Sequence, residues 1–115
     1  MIDFSSEIHN QVLMLNLNGD LIEISLERSL IELIEASIEE NILFCAIDIS
    51  NLRFINSSGI GLLITILTKF RNKGGDVFLI NPSDQVKKLL IITKLYAILN
   101  IVENRNEAID QFSKL

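Results

Sequence analysis

The run Leu43-Phe44-Cys45-Ala46-Ile47, carried on by Asp48 to Ile49, is the segment that most restricts how this chain can fold. It is too short to be a membrane span. It is also too evenly apolar to be a strand with one face in water. Such a run is a strand covered on both faces, and that requires packing layers above and below one sheet. Val77 to Ile80 repeats the signature further on. Two buried strands separated by a helical pattern imply parallel pairing through a crossover helix.

The rest of the chain fits around these strands. Ile2 to Ile8 alternates loosely and Val12 to Leu17 is richly apolar, with His9, Asn10 and Gln11 between them as a hairpin turn. Asn18-Gly19-Asp20 carries turn chemistry and is expected to end the second strand. Ser25 is placed to cap a helix running to about Glu40, with Leu26, Leu30, Leu33, Ile34 and Ile38 as its buried stripe. A second helix is expected from Ser57 to Asn72, stopped by Gly74-Gly75. A third runs from Asp84 to Leu95 after the turn Asn81-Pro82-Ser83. Ile98 to Val102 is a last short strand, and Glu107 to Lys114 a closing helix. The expected fold is α/β: one domain over residues 1–115, elements in the order β-β-α-β-α-β-α-β-α, and a mixed, mainly parallel sheet with helices packed against it. In such sheets, sites gather where strands end and helices begin. That directs attention to Leu52–Gly61 and Asn81–Asp84.

Composition narrows the function. The net charge of −5 argues against a nucleic-acid partner. The charge is uneven: residues 1–50 hold ten acids and Arg28 as the sole fixed base (−9), and residues 51–115 hold nine bases and five acids (+4). One Cys and one His do not build an ordinary zinc site, and a single Cys45 fits a reducing, cytoplasmic setting. Met1 to Glu7 has two acids and no base, unlike a secretory leader, and the longest apolar stretch, Ile60 to Leu67, is far shorter than a membrane span, so no membrane insertion is expected.

The segment Phe54-Ile55-Asn56-Ser57-Ser58-Gly59-Ile60-Gly61 is the candidate site. Phe54 and Ile55 are expected to anchor it to the core. Asn56, Ser57 and Ser58 are all good helix caps. Gly59 and Gly61 each cost a helix roughly 1 kcal/mol relative to Ala, so two in one turn need a reason, and close approach of another backbone is one. At 100° per residue, Ile60, Leu63, Ile64, Leu67 and Phe70 share an inner face. Ser58, Gly61, Leu62, Thr65 and Lys69 then fall outside, as a flat surface with a serine at its edge.

These residues carry a resemblance. Asp48-Ile49-Ser50, the segment Phe54–Gly61, Gly74-Gly75, Val77–Ser83, then Val86, Leu89-Leu90, Thr93 and Leu95 closely resemble the STAS domain of bacterial anti-sigma factor antagonists, from about Val12 onward. The resemblance implies that Ser58, with Ser57 as second choice, is phosphorylated by a serine-kinase anti-sigma factor. It implies that the unphosphorylated form binds that kinase and frees the sigma factor, and that a PP2C-type phosphatase restores the serine. Asn56, Ser57, Ser58, Gly59, Gly61, Leu62, Thr65, Asp20 and Glu23 would meet the partner. Three positions depart from the family: Asn56 replaces an Asp, Ile22 an acid, and Lys94 the Gly of a Thr-Gly-Leu sequence.

Enzymatic readings find little footing. No Cys or His is placed to activate Ser58, since Cys45 reads as core and His9 as a surface turn residue. A receiver domain needs an acidic pair after its first strand, and Leu17-Asn18-Gly19 offers none. No cofactor is implied. The remaining alternative within the resemblance is a STAS scaffold, or a cytoplasmic subunit of a lipid-transport ATPase, with no phospho-switch. The sequence leaves oligomeric state and the sigma factor's identity open.

Overall fold

A computed structural model of the chain describes residues 2–21 and 27–113. Its elements are β1 (Ile2–His9), β2 (Val12–Leu21), α1 (Glu27–Glu39), β3 (Phe44–Asp48), β4 (Leu52–Ile55), α2 (Ser57–Arg71), β5 (Asp76–Ile80), α3 (Asp84–Ile92), a 3-10 turn (Leu95–Ala97), β6 (Asn100–Val102) and α4 (Arg105–Ser113). The proposed cap Ser25 and the stripe residue Leu26 lie outside the described residues, as does Lys114.

One six-stranded sheet runs β1-β2-β3-β5-β6, with β4 beside the end of β2. Among the described residues, only β1 pairs antiparallel. Asn10 and Gln11 both take left-handed backbones (φ 51° and 66°), which gives the tight two-residue turn a hairpin of this twist prefers.

β3 explains the sheet. Cys45 and Ile47 point into the larger core with Leu13, Leu15, Leu17, Leu30, Ile34, Leu63, Ile66 and Phe70. Ala46 points the other way, into a smaller core with Val12, Met14, Phe78, Val102 and the α4 residues Ala108 and Phe112. The two-sided burial expected from the sequence is therefore built by α1, α2 and α3 on one face and α4 on the other.

Three expectations are corrected. β2 does not stop at Asn18-Gly19-Asp20. Its register shifts between Gly19 and Asp20, with Gly19 at φ 101°, and the strand continues to Leu21. A bulge lets a turn-rich triplet stay in a strand. That continuation pairs with β4, a strand the sequence did not suggest: four residues with the outer two buried and the inner two exposed have no strand period to read. The third helix ends at Ile92 rather than Leu95, because Lys94 turns left-handed (φ 63°) and starts the 3-10 turn.

α2 stops where the glycines say it should. Gly74 is left-handed (φ 83°). At Gly75 the constraint is space: a Cβ there would lie 1.6 Å from the Leu43 carbonyl oxygen.

The exposed start of the second helix

Three junctions sit at the carboxyl ends of the parallel strands. After β3, Asp48 Oδ1 accepts from the Ser50 amide (3.0 Å) and hydroxyl (2.6 Å). That carboxylate closes a turn. After β5, left-handed Asn81 (φ 48°) donates its amide to the Val102 carbonyl (2.8 Å). Ser83 then caps α3 by accepting from the Val86 amide, and its hydroxyl donates to the Leu52 carbonyl at 3.2 Å. Leu52 opens β4, so this hydroxyl joins the second junction to the third.

The third junction is the start of α2. Asn56 holds an extended backbone and its Oδ1 accepts from the Gly59 amide at 3.0 Å. Its carbonyl accepts from the Ile60 amide at 2.9 Å. Asn56 is thus the cap among the three candidates. Ser57 and Ser58 become the first two helical residues, and both are exposed. Because the cap is supplied elsewhere, the Ser58 hydroxyl makes no hydrogen bond among the described residues. It also lies in the first turn, where backbone amides lack intrahelical acceptors and the helix dipole favours negative charge.

Gly59 is buried and Gly61 is exposed. A Cβ on Gly61 would meet nothing within 4 Å. Nothing in the fold therefore requires glycine there. One turn on, Thr65 is exposed and donates its hydroxyl to the Gly61 carbonyl at 2.9 Å. Ser58, Gly61 and Thr65 form a low, small-residue strip along the outside of α2.

Leu62 does not belong to that strip. Expected on the outer face, it is 3% exposed. Leu62 and Ile66 are inside and Ile64 is only half-buried. The physical reason is α1, which packs alongside α2 and widens its buried arc beyond the part facing the sheet. Burying a leucine is worth about 2 kcal/mol, which is ample to set the helix rotation. Phe54 is the opposite correction. Expected as an anchor beside Ile55, it is 51% exposed, whereas Ile55 is buried. With Arg53 it lines a groove that also takes in Ser50, Ser83, Asp84 and Gln85. An exposed aromatic on the strand that leads into the candidate serine's helix is a feature the sequence did not reveal.

Of the more distant candidates, Asp20 lies in β2 opposite Phe54, and Glu23 lies outside the described residues. Cys45 is fully buried in β3, and desolvation pushes its thiol pKa far up, so it is no nucleophile. His9 ends β1 at the hairpin.

Comparison with known proteins bears on the family and the fold. The family model described as STAS domain matches residues 3–108. An anti-sigma F factor antagonist of Paenibacillus polymyxa is 24% identical over 110 residues, covering 96% of this chain and 94% of the relative. Among solved structures, SpoIIAA in its unphosphorylated form superposes with a TM-score of 0.76 at 21% identity, covering 98% of this chain and 100% of the other. SpoIIAA of Bacillus in its phosphorylated form gives 0.75 at 22%, covering 96% and 99%. A proposed anti-sigma factor antagonist of Thermotoga maritima gives 0.83 at 23%, covering 94% and 92%.

Proposed function

The chain belongs to the STAS domain family, and from that premise we propose that residues 1–115 act as one STAS domain, an anti-sigma factor antagonist switched at Ser58. The unphosphorylated protein binds a serine-kinase anti-sigma factor and frees the sigma factor. The kinase transfers the γ-phosphoryl group of ATP to Ser58 Oγ: the new O–P bond forms as the bond to the β-phosphate oxygen breaks, ADP leaves, and the hydroxyl proton is lost. A PP2C-type phosphatase delivers water to the phosphorus and returns serine and inorganic phosphate.

The observation that carries this reading is the division of labour at the helix start. Asn56 satisfies the helix, so Ser58 is exposed and its hydroxyl is available. A phosphate there adds about −1.5 to −2 charge next to free amides and a favourable dipole, so the fold accepts it. The same group stands proud of a strip whose other members are Gly61 and Thr65, and it opposes close contact with a partner's acidic groups and bound nucleotide phosphates. The switch is loss of docking, with the fold intact. Gly61, bare without a fold-imposed need, supports a partner backbone lying against it. Asn56, Ser57, Thr65 and the exposed Phe54 complete the surface, and the buried Gly59 and Leu62, both expected on it, are left out.

Incubation with ATP and the cognate serine kinase, followed by mass spectrometry, should place a phosphate on Ser58. Phosphate found elsewhere, or nowhere with every candidate kinase, overturns the switch. Ser58→Asp should lower kinase affinity by roughly 100-fold while stability stays within about 1 kcal/mol of wild type; unchanged affinity would count against the docking surface.

A further inference from the structure

Four large apolar side chains crowd one short stretch of surface: Ile91 (56% exposed), Ile92 (75%), Tyr96 (43%) and Ile98 (47%). They are brought together because α3 stops at Ile92 and left-handed Lys94 folds the chain straight into the 3-10 turn. The Thr93 hydroxyl bonds back to the Leu89 carbonyl (2.8 Å) and the Ile98 carbonyl accepts from Arg71 Nη2 (2.9 Å), so the stretch is held in place. Solvent-facing isoleucines in a held segment are a docking surface in search of a partner.

Charge identifies the kind of partner. Between Asp84 and Glu103 the chain has Lys87, Lys88 and Lys94 and not one acid, within a protein of net charge −5. None of the three lysines is paired with a carboxylate among the described residues. The nearby Asp76 is already engaged by Arg71 (3.0 Å) and by Asn100 (2.9 Å). Glu35 and Glu39 of α1 line a separate groove with Lys69 and Lys73. Exposed apolar side chains with a tyrosine among them, Lys87 and Lys88 one helical turn before Ile91 and Ile92, and Lys94 between the helix and the 3-10 turn match the chemistry of an anionic lipid surface. A second copy meeting the same patch would bring like charges together.

We propose that the Ile91–Ile98 surface docks peripherally on an anionic bilayer. No helix among the described residues is long and apolar enough to cross a membrane, so the contact is superficial. The patch is tied to Arg71 at the end of α2, while Ser58 stands at its start, about 20 Å away along the helix. A lipid-docked molecule therefore leaves the Ser58 end clear, and the inference does not depend on the phospho-switch.

The test is co-sedimentation of the full chain with phosphatidylcholine vesicles and with phosphatidylglycerol–phosphatidylcholine vesicles. Binding should be confined to the anionic vesicles and fall as salt rises. Ile91→Ser/Ile92→Ser should weaken it by about ten-fold or more. Each of Lys87→Gln, Lys88→Gln and Lys94→Gln should weaken it by about five-fold. All these positions are exposed or half-buried, and circular dichroism checks that the variants fold. No binding to anionic vesicles, or binding that survives the isoleucine variant, overturns the proposal. So does a concentration-dependent oligomer in sizing chromatography that the isoleucine variant abolishes, because that would assign the patch to a second copy.

Discussion

Gly61 and Gly75 lie near the two ends of the same segment and are glycine for different reasons. At Gly75, just past the end of α2, a methyl group would overlap the Leu43 carbonyl. The Leu43 backbone, just before β3, fills that space and accepts from the Asp76 amide at the start of β5. At Gly61, in the second turn of α2, a methyl group would point into open space. One glycine is explained from inside the molecule. The other is a cost to the helix with no return inside the fold, and under the proposed function its return is the partner that docks there. The contrast separates residues that answer to folding from residues that answer to a partner.

The sharpest way to break the comparison is to make the same substitution at both positions. Gly75→Ala should destabilise by about 3 kcal/mol, read from urea unfolding. A loss below about 1 kcal/mol would mean that the Leu43 backbone yields. Asn56→Ala comes next: removing the cap should cost about 1 kcal/mol, again in denaturant. If stability is unchanged, Ser57 or Ser58 takes over the cap, and the availability of the Ser58 hydroxyl is lost with it. Gly61→Ala should act in the opposite sense to Gly75→Ala, raising stability by about 0.8 kcal/mol while weakening binding to the kinase. A variant that is less stable would show that the fold does need this glycine. The smallest effect is expected at Lys94→Gly, where glycine relieves a left-handed backbone and should stabilise by about 0.5 kcal/mol in thermal unfolding.

What could be read from the sequence follows the same division. β3 and β5 were legible because burial on both faces leaves an unbroken apolar run. The resting places of Gly74 and Asn81 were legible as turn chemistry. β4 was not, since Leu52-Arg53-Phe54-Ile55 is buried at its two ends and exposed between them, with no strand period. It exists because a bulge at Gly19 lets β2 reach it. Leu62 was assigned to the wrong face for a related reason: a helical projection supplies angles but not neighbours, and α1 covers the flank on which Leu62 sits. Ser58 was picked out by its residues, yet the property that leaves its hydroxyl available, a cap supplied by Asn56, is visible only in the hydrogen bonds.

The bond from the Ser83 hydroxyl to the Leu52 carbonyl has a dynamic meaning. β4 is short and pairs only with the end of β2, so alone it would open far more easily than the sheet's centre. Ser83 fastens its first residue to the cap of α3. The strand that delivers Ser58 and the helix that carries the isoleucine surface are thereby coupled in one local opening event. Amide exchange in β4 and in the first turn of α3 would then proceed in step, slower than a loop and faster than β3.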